Sequence, residues 1–232
     1  MKRIKNYICV LLAFCLMASI STTAFAASAD NTLSENGFSE EVAALGEKYG
    51  VEITVTPTQT NRAALSAEQE AEELANLEEH LRIGQAALEE NNRLAEENWQ
   101  SIVESGRLDE EYSVSENAIS PRATHTVYRY QTIGSYYPNG TTIRCYITGN
   151  RTYSDVHKRY LWGSVVSKGS KLYSGKGDSW KETDCEVQRI DGGRTYYVQV
   201  WGDLTEKYTS WFHEYTVTSK GWRIWYEAYC PA

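Results

Sequence analysis

From about Arg122 to the C-terminus the chain alternates apolar and polar residues in short runs, and tight-turn dipeptides separate the runs. "YPNGTT" and "IDGGRT" carry the Asn-Gly and Asp-Gly-Gly signals of short hairpins, and "TSKGW" marks a third turn. Alternation puts every second side chain on one face, which suits a sheet and not a helix. The pattern predicts strands at 123–133, 141–149, 159–167, 181–190, 194–202, 210–218 and 221–230, with "VSKGSKLYSGKGDSW" as a long loop after the third. Seven short strands with no helix between them imply an antiparallel β-sandwich, immunoglobulin-like or a partly open barrel, over residues 122–232. The immunoglobulin hallmarks are incomplete. Trp162 follows Cys145, yet neither Cys185 nor Cys230 has a tyrosine two residues before it.

The first half reads differently, so the fold class is α+β, an N-terminal helical region followed by the all-β sandwich. Residues 27–60 form a short helix-strand unit. Ser39 is placed as an N-cap, Phe38, Val42, Leu45 and Tyr49 share a face, Gly50 stops the helix, and "VEITVTP" is a strand ended by Pro57. Residues 61–106 predict one long acidic amphipathic helix, opened by a Ser66/Gln69 capping box and stopped at Gly106. Leu74, Leu77, Leu81, Leu88, Ala95 and Ile102 keep heptad spacing, but Gly84, Asn91 and Asn98 interrupt the seam. A continuous apolar seam is what a coiled coil needs. The helix is therefore expected to pack on its own chain or act as a stalk, with self-association through it as the other route. Residues 107–121 read as a linker ending at Pro121.

Residues 1–26 have the form of a secretory signal peptide. Lys2, Arg3 and Lys5 precede an apolar run at 7–20, and Ala24-Phe25-Ala26 supplies the cleavage site, with Ala29 as the alternative. The expectation is a secreted, extracellular protein without a transmembrane span in its mature form. Cys145, Cys185 and Cys230 then remain as disulfide candidates, and three cysteines allow one bond and one free thiol in any of three pairings. They lack the close C-x-x-C spacing of a zinc site, and no metal or cofactor motif is found. Formal net charge is −8, and it is divided unevenly. Residues 61–111 hold fourteen acidic and four basic side chains, whereas residues 112–232 hold fifteen basic and eleven acidic ones. A net acidic chain argues against nucleic acid or anionic membrane as the partner of the whole molecule.

The β-half holds fourteen of the seventeen tyrosines and six of the seven tryptophans. Sheets favour aromatic residues and use them to fill cores, so faces must be separated before any is given a role. Within 221–230, Trp222, Ile224, Tyr226, Ala228 and Cys230 form the apolar face, leaving Arg223, Trp225, Glu227 and Tyr229 opposite. Within 194–202, Tyr196, Val198 and Val200 face the core, leaving Tyr197, Gln199 and Trp201 outward. If these strands and 210–218 form a meander, Tyr197, Trp201, Trp225 and Tyr229 stand together with Arg223 and Glu214. Flat rings among hydrogen-bonding groups suit a glycan, and Trp, Tyr and Arg also suit a protein partner. A third reading has the long helix cover this face with Leu74, Leu81, Leu88 and Trp99.

No nucleophile motif accompanies Asp155 and His157 in "YSDVHKRY", so a hydrolase built on that pair is only an alternative. Glu182, Asp184 and Glu186 read as an acidic stripe on one strand face. The expected function is a non-enzymatic extracellular or cell-surface interaction with an unknown protein or glycan. A toxin- or inhibitor-like domain with the acidic helix as cover or pro-segment is the other alternative.

Overall fold

The computed structural model describes residues 35–58, 65–109, 123–133, 140–175 and 178–232. The expected signal segment and most of the expected linker lie outside the described residues. Two helices, α1 (Glu35–Tyr49) and α2 (Ala67–Glu104), flank strand β1 (Glu52–Pro57). Six longer strands follow: β2 (Ala123–Ile133), β3 (Thr141–Ser154), β4 (Arg159–Ser174), β5 (Ser179–Ile190), β6 (Thr195–Thr209) and β7 (His213–Tyr229). They form two antiparallel sheets, one ordered β1-β7-β6-β5 and the other β2-β3-β4. The architecture is α+β with β-sandwich or half-barrel character. Among the described residues no helix is long and apolar enough to cross a membrane.

Several expected boundaries are corrected. The first helix starts at Glu35, before Ser39. "TSKGW" does not reverse the chain: β7 runs straight through it, with Lys220 and Gly221 standing against the single residue Asp203 of β6, a one-residue bulge. Gly221 takes φ 78°, the conformation that a bulge and a turn both demand of glycine. The expected strands 210–218 and 221–230 are therefore one strand. Much of the expected long loop is also strand, since β4 continues to Ser174. The Asp-Gly-Gly hairpin holds, with Asp191, Gly192 and Gly193 all at positive φ between β5 and β6.

The core lies between the sheets, where Ile143, Cys145, Ile147 and Trp162 meet Tyr196, Val198, Val200, Trp222, Ile224 and Tyr226. Burial of this apolar area is what holds the layers together. Trp162 Nε1 donates to Ala228 O at 2.9 Å, so its polar edge is satisfied inside the core.

Helix α2 is anchored at both ends by its own sequence. Gln69 N donates to Ser66 Oγ at 3.3 Å, and Ser66 N donates to Gln69 Oε1 at 2.9 Å. At the C-terminus Gly106 N reaches Val103 O and Arg107 N reaches Ile102 O, both at 3.2 Å, closing the last turn. The helix is about 57 Å long at 1.5 Å per residue, more than one sheet face requires. Its early part packs Leu77 and Leu81 against Tyr215 and Val217, together with Phe38 and Val42 of α1. Its middle lays Ala87 and Leu88 on the main core. Its last part brings Trp99 and Ile102 to Tyr197 and Ile190.

Strand β1 pairs only with residues 213–218 of β7, which leaves the rest of that edge without a strand. Asn91 Nδ2 donates to Arg223 O at 2.6 Å, Asn92 Nδ2 donates to Gly221 O at 2.9 Å, and Arg223 N donates to Asn92 Oδ1 at 3.0 Å. Amide side chains thus satisfy edge groups that would otherwise be orphaned. Asn91, which spoils the coiled-coil seam, is one of the residues that dock the helix.

Candidate functional site

Strand β6 pairs directly with the whole of β7, which replaces the expected meander. Tyr197 is opposite Glu227, Gln199 opposite Trp225, and Trp201 opposite Arg223. Glu214 is at the far end opposite Thr209 and forms a 2.7 Å ion pair with Lys207, away from the other five.

The remaining five do share a face, and α2 occupies it. Tyr197 is 0% exposed, its ring stacked on Trp99 at 5.4 Å between centroids. Burial raises the Tyr197 hydroxyl pKa. Arg223 pairs with Glu96 at 2.6 Å, donates to Gln199 Oε1 at 3.1 Å and lies 5.4 Å from the Trp201 ring. The hydrogen bond from Arg223 holds the Glu96 carboxyl below its ordinary range. Trp225 is half-buried against the Ile102–Ile190–Tyr197 cluster. Tyr229 is the exposed member, and its hydroxyl donates to Glu227 Oε2 at 2.8 Å. Of the residues expected to cover this face, only Trp99 does so; Leu74 and Leu81 join the α1 cluster and Leu88 the main core.

Other sequence candidates stand apart. Asp155 and His157 lie exposed in the turn between β3 and β4, where His157 N donates to Ser154 Oγ at 3.2 Å. The acidic stripe is broken by a bulge between Glu182 and Asp184. Glu182 turns to accept from Ser170 Oγ at 2.6 Å, whereas Asp184 and Glu186 stay opposite Trp201 and Gln199. Cys145, Cys185 and Cys230 are free thiols in the structure. Burial pushes Cys145 up to about 12 and Cys185 and Cys230 up to about 11, far from the range of a nucleophile at neutral pH. A shallow depression bounded by Arg159, Arg194, Tyr229 and Cys230 adjoins the C-terminus. Trp211 projects alone from the β6–β7 turn, 85% exposed. Among the described residues no group of three or more His, Cys, Asp or Glu is placed to hold a metal ion.

The face that the sequence reading missed is the outer side of β2-β3-β4. Cross-strand pairing sets its outward residues in rows: Thr132 with Thr142, Tyr130 with Arg144 and Lys171, Tyr128 with Tyr146 and Gly169, Thr126 with Thr148 and Ser167. Tyr128 is 53%, Tyr130 52% and Tyr173 61% exposed. Tyr130 and Tyr173 meet edge-to-face at 4.6 Å, and Arg144 lies 5.4 Å from the Tyr128 ring. Tyr146 lies against Gly169, where an added Cβ would meet its hydroxyl at 3.1 Å and Cζ at 3.3 Å. Threonine pairs 126/148 and 132/142 are bonded at 2.8 and 3.2 Å, leaving a hydroxyl border above and below the rings. Alternation in "THTVYRYQT" and in the expected strand 141–149 is the sequence signal for the β2 and β3 parts of this face. Only the β4 part, from Ser167 to Tyr173, lay in the stretch read as a loop.

Comparison of the chain with protein-family models, curated proteins and solved structures finds no match.

Proposed function

We propose that this is a secreted, non-enzymatic protein that attaches to a protein or glycan surface outside the cell through the outer face of β2-β3-β4. The observation that carries this reading is the group of tyrosines 128, 130, 146 and 173, none of which is needed to fill the core. Tyrosine is costly to leave in water as a ring and useful at interfaces, where one end is apolar and the other bonds. A cluster of exposed rings on an open sheet face is a surface for attachment, not a pocket for a small substrate. Export rests on the basic, apolar, small-residue order of the first twenty-six residues. The other aromatic face supports the molecule instead of serving it, because α2 lies on Tyr197 and holds Arg223.

Sedimentation with insoluble polysaccharides and with isolated cell-envelope material tests the reading. The mature protein should co-sediment, and a Tyr128→Ala/Tyr173→Ala variant should stay in the supernatant with an unchanged melting temperature. Equal retention of parent and variant, or no retention of either, refutes it.

A further inference from the structure

Strands β2, β3 and β4 contain Arg129, Arg144, Arg151, Arg159, Lys168 and Lys171 but no Asp or Glu. None of the six makes an ion pair with a described residue, although the chain as a whole is acidic. Two of them, Arg144 and Lys171, stand directly opposite each other on the outer face. Like charges in that position destabilise a sheet, and no carboxylate among the described residues pairs with either. Arg144 Nε is also shielded from water with no hydrogen-bond partner among the described residues.

We propose, resting on the reading of this face as the attachment surface, that its ligand is an acidic polysaccharide. Anionic groups of the chain pair with Arg144 and Lys171, and its sugar rings lie on Tyr128, Tyr130, Tyr146 and Tyr173. A guanidinium presents a planar fork of donors that matches a carboxylate. A pyranose offers an apolar C–H side to a ring and a rim of hydroxyls to the flanking threonines. Rows about 5 Å apart across the strands suit a repeating, extended ligand better than a single small one. An acidic protein fits less well: Tyr and Arg are common at protein interfaces, but these also centre on apolar side chains, whereas the rows here hold Thr, Tyr, Arg, Lys, Ser and Gly, and the exposed Val165 and Val166 lie past them at the β4 bulge. The acidic helix α2 leaves this face open: its packing is with α1, the inter-sheet core and the Tyr197 face, not with the outward side chains of β2-β3-β4.

Titration calorimetry of the full mature protein with polygalacturonate tests the assignment, using the same polymer with its carboxylates methyl-esterified as the uncharged control. Binding to polygalacturonate should be roughly tenfold or more tighter than to the ester, and should weaken with added salt. An Arg144→Gln/Lys171→Gln variant should lose that preference while melting no lower than the parent, since it removes a like-charge pair. Tyr146→Ala should weaken binding to both polymers. Equal affinity for the two polymers overturns the acidic assignment but leaves the attachment face standing. Tighter binding to polyglutamate or to a thymidine oligonucleotide than to polygalacturonate also overturns it, as does no binding to polygalacturonate.

Discussion

Replacing Arg107 with alanine should show that the first residues after α2 are a structural clamp. Arg107 binds Asp191 through Nε and Nη2 at 2.9 and 2.8 Å, and Glu227 through Nη1 and Nη2 at 2.8 and 3.1 Å. The guanidinium side chain is 32% exposed, the two carboxylates 23% and 16%. Hydrogen bonds from Arg107 are the main reason both carboxyls titrate below their ordinary range. Hydrogen bonds to charged groups contribute about 1.5–3 kcal/mol each, and partial exposure weakens them. A net loss of about 3 kcal/mol at neutral pH is the reasoned value, or about 1.5 M in urea midpoint at a slope of about 2 kcal/mol per M.

The pH dependence gives the sharper test. Carboxyls depressed in the folded state add stability that is present above their unfolded pKa and lost as pH falls through the folded pKa. The variant lacks that contribution, and it also leaves Asp191 and Glu227 repelling each other. Protonation removes both differences. Urea unfolding followed by circular dichroism should therefore show the Arg107→Ala penalty shrinking from about pH 7 to about pH 3. A penalty that is the same at both values would refute the clamp.

Thiol chemistry should follow burial. Under native conditions iodoacetamide should modify the half-buried Cys230 first and leave Cys145 and Cys185 unmodified until the protein is unfolded, as read by peptide mass spectrometry; early labelling of Cys145 would contradict the packing. Residues 122–232 made alone should fail to fold cooperatively, because Leu77, Leu81, Ala87 and Leu88 of α2 cover its core. A soluble fragment with a sharp thermal transition would restore the idea of a detachable cover. Leu81→Ala, at a fully buried site, should cost about 2–5 kcal/mol in urea unfolding.

Local signals were legible where one residue type has one structural use. The Ser66/Gln69 box, the Gly106 stop and the Asp191-Gly192-Gly193 hairpin all appear as read. Gly221 was ambiguous because positive φ serves a turn and a bulge alike, and only pairing with β6 decides between them. Parity along β6 correctly set Tyr196 and Val198 inward, but parity says nothing of what lies on the opposite face. Tyr197 looked like a ligand platform for that reason and is covered by Trp99. The bulge at Thr183 likewise reversed Glu182, which strict alternation had kept with Asp184. The tyrosine face escaped notice because Lys171 and Tyr173 sit in a Gly-, Ser- and Lys-rich run that resembles a loop until β3 pairs with it.

Tyrosine nitration with tetranitromethane, mapped by mass spectrometry with and without polygalacturonate, tests the attachment face most directly. Tyr128, Tyr130, Tyr153, Tyr173 and Tyr229 are all exposed in the free protein and should all react. With ligand bound, Tyr128, Tyr130 and Tyr173 should be protected while Tyr153 and Tyr229 continue to react. Protection of Tyr229 with continued reaction at Tyr128, Tyr130 and Tyr173 would place the ligand on the other side of the sandwich and contradict the account.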